Sequence, residues 1–291
     1  MRLALLTLEN RANYVIDDDL AIAELRRRGH AVEEVPWRRP TDWRTFDAVV
    51  IRTTWDYQRD LDAFLAALER IVAAGVPLAN ALPLVKWNAR KTYLKDLAAR
   101  GVAVVPSVWG EGLTSAELRA LPQRLASREC VLKPVVSANA EDTYRVHAGL
   151  DDATVARICA RFEGRAWLAQ PFVGSIVRDG ELSLFHFLGV YSHAVRKTPA
   201  AGDFRVQEEY GGHIAPLEPD ATLRAVSDRV LATLEGPAPL QARVDLVRLD
   251  DGSVAVMELE AIEPSLYFRT HPDAAAHFAD AVERWRAPLP R

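Results

Sequence analysis

Three acidic side chains near the end of the 291-residue chain have a spacing suited to binding a divalent cation. Glu258 and Glu260 follow an apolar run, and residues i and i+2 of an extended segment project from the same face. Asp245 lies in an apolar segment upstream, and the Asp-Asp-Gly turn at 250–252 predicts that the two segments pair as a hairpin. Carboxylates sharing a partly buried pocket raise each other's pKa unless a cation neutralises them. The pattern predicts a Mg²⁺ site, and protein-bound Mg²⁺ usually also contacts substrate phosphates. The alternative is that these carboxylates form an acidic sheet edge exposed to solvent.

A lysine inside an apolar strand is the second chemical signal. Lys133 interrupts the apolar run 130–136, and burying an ammonium group costs several kcal/mol unless it meets an anion. A phosphate group is a fitting anion, whereas a lysine that extends along the sheet to reach water is the alternative. The small, polar segment 137–145 follows directly. We expect it to form a flexible turn that closes over a ligand.

A third group of polar and aromatic side chains follows a predicted strand over 46–52. Open α/β sheets bind ligands beyond the carboxyl ends of their strands, so these residues are candidates for binding a small, zwitterionic substrate. A capped loop whose aromatic rings cover the sheet edge is an equally good interpretation. The candidates are Arg52, Thr54, Trp55, Asp56 and Tyr57.

The elements that must position these residues begin with an α/β unit. Apolar strands over 2–8, 31–35 and 46–52 alternate with amphipathic helices over 18–28 and 60–74. This rhythm is typical of an open, mostly parallel sheet. Farther along, the pattern predicts a helical connector over 80–101, strands over 104–108, 130–136 and 166–173, a hairpin over 180–197, and helices over 114–127, 151–162, 220–235 and 271–286.

Composition excludes several classes of protein. The net charge of −4 argues against a general binder of nucleic acid or of an anionic membrane. We find no apolar run long enough to cross a bilayer, and the first residues have the pattern of a strand rather than a signal peptide. The length favours two or three packed units. The cytoplasm is the expected location, and a homodimer is a reasonable expectation.

Taken in order, these motifs resemble the ATP-grasp superfamily, in its branch of glutathione synthetases and ribosomal-protein glutamate ligases. Finer motifs look like the cyclo-ligase group that forms cycloserine from O-ureidoserine; they begin at Arg52, Trp87, Val131 and Glu258. The resemblance implies an ATP-grasp fold preceded by an open, mostly parallel α/β domain. It implies a pre-ATP-grasp domain over 1–88, a small subdomain over 89–173 and a large subdomain over 174–291.

The resemblance also implies roles for individual residues. The expected ATP contacts are Lys91 and Lys133 at the phosphates, Gln170, Pro171, Phe172 and Val173 at the adenine hinge, and Glu181 at the ribose. The expected catalytic residues are Arg196 and Arg205, which would stabilise the transferred phosphoryl group. Asp245, Glu258 and Glu260 are the expected ligands of one or two Mg²⁺ ions. Gly211 and Gly212 join residues 52–57 as expected substrate contacts.

Two positions depart from the family pattern. The family usually has Glu-x-Asn where this chain has Glu258-Leu-Glu260, which makes the site more anionic. The segment after Lys133 usually carries several glycines whose amides wrap phosphates, but residues 137–142 contain none. The phosphates would then depend on side chains, or the segment would close only with substrate bound.

The resulting hypothesis is an ATP- and Mg²⁺-dependent ligase. It would convert the carboxylate of an amino-acid-like molecule to an acyl phosphate, which an amine on a second molecule or on the same molecule then attacks. Two alternatives stay open at this point. One is a kinase of the same fold that releases a stable phosphorylated product; the other is a non-catalytic ATP-binding module.

Overall fold

The structure is a computed structural model that describes residues 1–287. The strands in this range are β1 Arg2–Thr7, β2 Ala31–Pro36, β3 Ala48–Thr53, β4 Leu78–Ala79, β5 Val108–Glu111, β6 Glu129–Pro134, β7 Tyr144–His147, β8 Ala166–Pro171, β9 Glu181–Phe187, β10 Val190–Thr198, β11 His213–Pro216, β12 Gln241–Arg248 and β13 Val254–Glu260. The helices are α1 Asp18–Arg27, α2 Leu61–Ala73, α3 Leu82–Asn88, α4 Tyr93–Ala99, α5 Ser115–Arg124, α6 Asp152–Arg161, α7 Ser175–Arg178, α8 Ala221–Ala232 and α9 Ala274–Arg286.

The strands form three sheets. The first is fully parallel, with strand order β2-β1-β3-β4. The second, in the order β5-β8-β6-β7, and the third, in the order β11-β10-β9-β12-β13, are antiparallel. This architecture confirms the predicted α/β fold class, including the parallel sheet at the start of the chain.

The parallel sheet is buried on both faces, which explains its nearly continuous apolar strands. Side chains alternate along β1, so Leu3 packs in the core that contains Phe278 of α9, whereas Leu6 packs in the core that contains Phe64 of α2. Phe185 and Phe187 of β9 join the first of these cores. The first and third sheets therefore share one hydrophobic core, and α9 packs against it. The predicted division into domains stays a prediction.

Several element boundaries differ from the sequence prediction. The strand expected over 104–108 is β5, which begins only at Val108; Val104 makes an isolated bridge to Val256 of β13. The helical connector over 80–101 is two short helices, α3 and α4, with Lys91 in the turn between them. Among residues 1–287, no helix is long and apolar enough to cross a membrane.

The interior of the third sheet contains a histidine that gives folding a pH dependence. His193 stacks on Phe185 at 4.3 Å and hydrogen-bonds the carbonyl oxygen of Leu266 at 2.8 Å. Burial lowers the pKa of His193 to about 4. An unfolded histidine takes up a proton near pH 6.5, whereas the folded one stays neutral, so the free energy of unfolding falls as pH drops from about 6.5 to about 4.

Replacing His193 with glutamine is expected to remove this loss. Between pH 6.5 and 4, the free energy of unfolding of H193Q should fall by on the order of 2 kcal/mol less than that of the wild type. Urea unfolding across this pH range measures the difference. The exposed His213 supplies the control, since H213Q should keep the wild-type slope. Equal slopes for H193Q and the wild type would contradict the prediction.

Candidate active site

A deep cleft separates the second sheet from the third and encloses about 1060 Å³, part of it open to solvent. We call it the main cleft. Its lining comes from the α3–α4 turn, β6, the segment 137–143, the end of β8, the start of β9 and β13. The residues predicted for ATP and metal that line it are Lys91, Lys133, Gln170, Pro171, Val173, Glu181, Glu258 and Glu260. Sequence positions more than 160 residues apart therefore meet in one cleft.

Two lysines give one wall of the main cleft its positive charge. The Lys91 ammonium lies 2.8 Å from Glu258 and donates to the Ser137 carbonyl oxygen at 2.9 Å. Lys133 is buried, and its ammonium donates a long, weak bond to the Met257 sulfur at 4.0 Å. Burial lowers the pKa of Lys133, against the opposing charge of Glu258. Among residues 1–287, Lys133 thus has no carboxylate within ion-pair distance, and its contact with a phosphate stays a prediction.

The predicted hinge lies at the end of β8. Gln170, Pro171 and Val173 line the main cleft, whereas Phe172 does not; its backbone N–H donates to the Glu129 carbonyl oxygen. Since β8 pairs with strands on both sides, Pro171 marks the end of an interior strand rather than a sheet edge. At the start of β9, Glu181 accepts a bond from Lys197 at 3.0 Å.

The acidic strands pair as the sequence predicted. In the β12–β13 register, Asp245 is opposite Glu258 and Arg243 is opposite Glu260. Glu258 and Glu260 both face the main cleft. Asp245 is buried behind them, where it accepts bonds from Arg243 Nε at 2.9 Å and Lys197 Nζ at 3.3 Å. Within residues 1–287, no group of three carboxylate, histidine or cysteine side chains is arranged to hold a metal ion. The structure therefore does not bring Asp245 together with the two glutamates as a third ligand.

The protein's own cations neutralise these carboxylates. Burial would raise the pKa of Asp245, but the Arg243 and Lys197 charges outweigh it and hold that pKa below its usual value. Burial raises the pKa of Glu260 to about 7, although its carboxylate contacts the Arg243 guanidinium. The pKa of Glu258 is lowered, since Lys91 and Lys133 outweigh its burial. The premise that these acids need a counter-cation holds, but lysine and arginine supply much of that charge.

Sequence reasoning missed Arg243 and Lys197 as site residues. Arg243 is two residues before Asp245 on β12, and this i, i+2 spacing was a usable signal that the two side chains share a face. Lys197 follows the predicted catalytic residue Arg196. Alternation along β10 turns Lys197 inward, to Glu181 and Asp245, and leaves Arg196 exposed and outside the main cleft. The structure therefore does not bring Arg196 to the predicted catalytic position, whereas Lys197 contacts the predicted site residues Glu181 and Asp245.

The other predicted catalytic arginine does reach the main cleft. Arg205 lines it from the segment between β10 and β11. Its guanidinium donates to Asp203 at 2.7 Å and lies 3.8 Å from the centre of the Tyr210 ring. The two neighbouring glycines are not brought to the cleft. Gly211 ends a 3₁₀ turn in the left-handed conformation, and a side chain at Gly212 would collide with the Val206 carbonyl.

Arg52 is a structural residue rather than a substrate contact. Its guanidinium is 1% exposed and makes two 2.8 Å bonds to Asp18 and one 2.7 Å bond to the Gln241 side chain. Thr54 is fully buried, and Asp56 accepts a bond from the Trp37 indole. The structure thus supports the loop alternative for these three residues. Through Gln241, Arg52 joins β3 of the first sheet to β12 of the third.

Two aromatic residues of the same loop do reach open space. Tyr57 lines the main cleft, and Trp55 lines a second cavity of about 530 Å³. Glu260 and Glu263 line both, so the two spaces adjoin. The second cavity is strongly polar. Its charged lining residues are Lys197, Glu208, Glu209, Arg243, Glu260 and Glu263.

Comparison with known proteins identifies close relatives. Residues 3–80 match a family profile described as the N-terminal domain of the D-cycloserine synthetase DcsG. The chain is 36% identical over 275 residues to the cycloserine biosynthesis protein DcsG of Streptomyces lavendulae, covering 88% of this chain and 89% of that protein. A crystal structure of D-cycloserine synthetase DcsG is similar, with a TM-score of 0.85 at 34% identity over 99% of this chain and 100% of that one.

More distant structures share the fold. The RimK domain ATP-grasp protein of Sphaerobacter thermophilus has a TM-score of 0.69 at 19% identity, covering 97% of this chain and 99% of that chain. The D-alanine–D-alanine ligase of Bacillus anthracis has a TM-score of 0.67 at 15% identity, with 98% of each chain covered. These matches confirm the predicted ATP-grasp fold.

Proposed function

Because this chain belongs to the D-cycloserine synthetase family of ATP-grasp enzymes, and is thus an ATP-dependent ligase, we propose that it closes an amide bond on an amino-acid-like substrate through an acyl phosphate. The observation that carries the proposal is the juxtaposition, in the main cleft, of Lys91 and Lys133 with the carboxylates Glu258 and Glu260. Cations suited to phosphates thus face oxygen donors suited to Mg²⁺.

The donor set fits a magnesium ion held together with a nucleotide. Glu258 and Glu260 offer hard carboxylate oxygens in the same cleft as two lysines, and Mg²⁺ is usually bound by one or two carboxylates plus substrate phosphates. These two glutamates would hold the ion, and the bound ion would neutralise phosphate charge. Asp245 instead holds Arg243 and Lys197 in position. Whether one or two ions bind stays a prediction.

In the proposed reaction, a carboxylate oxygen of the substrate attacks the γ-phosphorus of ATP, and ADP leaves. A nitrogen nucleophile then attacks the acyl carbon, inorganic phosphate leaves with the former carboxylate oxygen, and the nitrogen gives up a proton. Lys91, Lys133 and Arg205 line the main cleft and would stabilise the charge on the transferred group. Gln170, Pro171 and Val173 would contact the adenine, and Glu181 the ribose.

The second cavity suits the amino-acid-like substrate. Arg243 and Lys197 would attract its carboxylate, and Glu208 and Glu209 would attract its ammonium group. The cavity adjoins the main cleft at Glu260, so a carboxylate there would lie toward the phosphates. The relatives described as D-cycloserine synthetase favour an intramolecular, ring-closing reaction over the joining of two molecules. We place this reaction in the cytoplasm; a homodimer stays a prediction.

The proposal is tested by measuring ADP release with a panel of amino acids and their ureido and aminooxy analogues, with mass spectrometry of each product. A ligase yields ADP, free phosphate and a new bond, whereas the kinase alternative would yield a phosphorylated product. Membership of the ligase family argues against that alternative and against a non-catalytic module. A stable phosphorylated product, or no turnover with any analogue, would overturn the proposal.

Replacing Glu258 with glutamine is expected to lower kcat/KM of the active substrate about 100-fold, because the neutral amide is a weaker ligand for Mg²⁺. The apparent Mg²⁺ requirement should rise at the same time. Steady-state rates across a magnesium titration measure both effects. The control is E235Q, since Glu235 is exposed, pairs with Arg100 and does not line the main cleft; it should behave as the wild type. If E258Q kept the wild-type rate, Glu258 could not be a ligand of the catalytic Mg²⁺ ion.

A further inference from the structure

The segment 137–143, which joins β6 to β7 along the main cleft, has an unusual backbone. Asn139, Ala140 and Asp142 have φ angles of +52°, +52° and +54°. Residues with a Cβ rarely adopt this left-handed conformation, because the Cβ approaches the backbone carbonyl. Three such residues within four positions persist only where the surrounding structure holds them.

One carboxylate in this segment, that of Asp142, is hydrogen-bonded by two arginines. The Asp142 side chain is 8% exposed and accepts two 2.8 Å bonds from Arg161 and one 2.6 Å bond from Arg165. Its burial would raise the pKa of Asp142, but the two guanidinium groups outweigh that effect and lower the pKa. Arg161 ends α6, and Arg165 directly precedes β8. These hydrogen bonds therefore connect the segment to the end of α6 and to the start of β8.

At its start the segment also accepts a 2.9 Å bond from Lys91, at the Ser137 carbonyl oxygen. The side-chain contacts of Glu141 and Asn139, nearer the left-handed residues, are weaker. Glu141 accepts a 3.1 Å bond from Gln58 and lies 3.6 Å from Arg59, whose side chain is 61% exposed. The Asn139 amide donates to the Trp55 carbonyl oxygen at 3.4 Å. Exposed or long contacts of this kind contribute little to stability, whereas bidentate arginine–carboxylate bonds are strong and directional. Asp142 is the strongest of these restraints on the left-handed turn.

We propose that Asp142 is a positioning residue that, through Arg161 and Arg165, holds segment 137–143 in the left-handed conformation that lines the nucleotide cleft. The inference rests on the proposed function, since ATP is the ligand that the segment would contact. The turn also closes on itself, since the Glu141 N–H donates to the Ala138 carbonyl oxygen at 3.0 Å and the Thr143 N–H to the Ala140 carbonyl oxygen at 3.2 Å. Glycines would adopt the left-handed backbone without a steric penalty. In this chain the bonds from Arg161 and Arg165 to Asp142 stabilise that backbone instead.

The test compares D142A with D152A, which removes an exposed aspartate paired with Arg119 in the same part of the chain. For D142A we expect hydrogen exchange of residues 137–143 in the nucleotide-free protein to be about tenfold faster, and Kd and KM for ATP to rise about tenfold. The kcat at saturating ATP should stay within about threefold, since Asp142 does not contact the reacting groups. D152A should match the wild type throughout. D142N replaces D142A if the alanine variant does not fold.

A rescue variant distinguishes the loss of a positioned segment 137–143 from a general destabilisation of the fold. Glycine accepts a positive φ without a steric penalty, so D142A/A140G should bind ATP several-fold more tightly than D142A. Wild-type exchange and ATP affinity in D142A, or no recovery in D142A/A140G, would overturn the inference. If the wild type itself binds no ATP, the proposed function fails. Exchange in the nucleotide-free proteins still decides whether Asp142 holds the segment.

Discussion

Replacing Lys133 with methionine is expected to lower kcat/KM for ATP by about 100- to 1,000-fold while making the folded protein more stable. The loss follows from removing a preorganised cation from the main cleft, where the proposed function places the phosphates of ATP. The gain has a separate cause, because the ammonium is buried and no carboxylate in the described part of the chain bonds it directly. Methionine fills similar space without a charge, so the free energy of unfolding should rise by on the order of 1 kcal/mol.

Steady-state kinetics and urea unfolding at pH 7 test the two opposite effects. The control is K86M, since Lys86 is an exposed lysine paired with Glu69 on the surface. Both its activity and its stability should stay close to wild type, because exposed ion pairs contribute about 0–1 kcal/mol. If K133M were less stable than the wild type, Lys133 would be an ordinary paired residue of the fold. If it kept full activity, Lys133 would not contact the phosphates.

Replacing Arg243 with methionine is expected to destabilise the fold by about 3–5 kcal/mol. The guanidinium bonds Asp245 and Glu260, and Arg243 is only 6% exposed. Its loss leaves the buried carboxylate of Asp245 and the partly buried carboxylate of Glu260 without their main counter-charge. Activity should fall as well, because Arg243 lines the second cavity. Urea unfolding at pH 7 measures the stability change.

A matched control and a second substitution sharpen this test. Arg248 lies on the same strand, is 34% exposed and pairs with Asp220, so R248M should cost no more than about 1 kcal/mol. The double variant R243M/E260Q removes one of the carboxylates that R243M leaves unpaired. It should be about 1–2 kcal/mol more stable than R243M. Equal losses for R243M and R248M, or no recovery in the double variant, would contradict the assignment.

The part of the site that could be read from the sequence has a common physical origin. A carboxylate or lysine inside an apolar strand needs a partner, so Lys133, Asp245 and Glu258 are identifiable from the sequence alone. The Asp-Asp-Gly turn also predicted the correct pairing of β12 with β13, since hairpin geometry is local. The resemblance added Lys91, Gln170 and Glu181, which no local pattern singles out and which the main cleft brings together.

Other predicted site residues do not reach the cleft, because a shift of one position along a strand moves a side chain to the opposite face of the sheet. Arg196 and Lys197 are adjacent cations, and the pattern did not show which of them turns inward. Arg52 had the composition expected of a substrate contact, but Asp18 and Gln241 enclose its guanidinium from elements 34 and 189 residues away. The chemical type of a residue is thus visible in the sequence, whereas its partner is not.

Sequence patterns alone predict the alternation of strands and helices, the parallel first sheet and the need for counter-charges near Glu258 and Glu260. Those features follow from periodicity and from the cost of burying unpaired charge, which act locally. The folded chain was needed to show that Arg243 and Lys197 supply much of that charge, that Asp245 lies behind the main cleft, and that Asp142 pairs with Arg161 beside it. These outcomes depend on strand register and on contacts between distant elements, which no single stretch of sequence specifies.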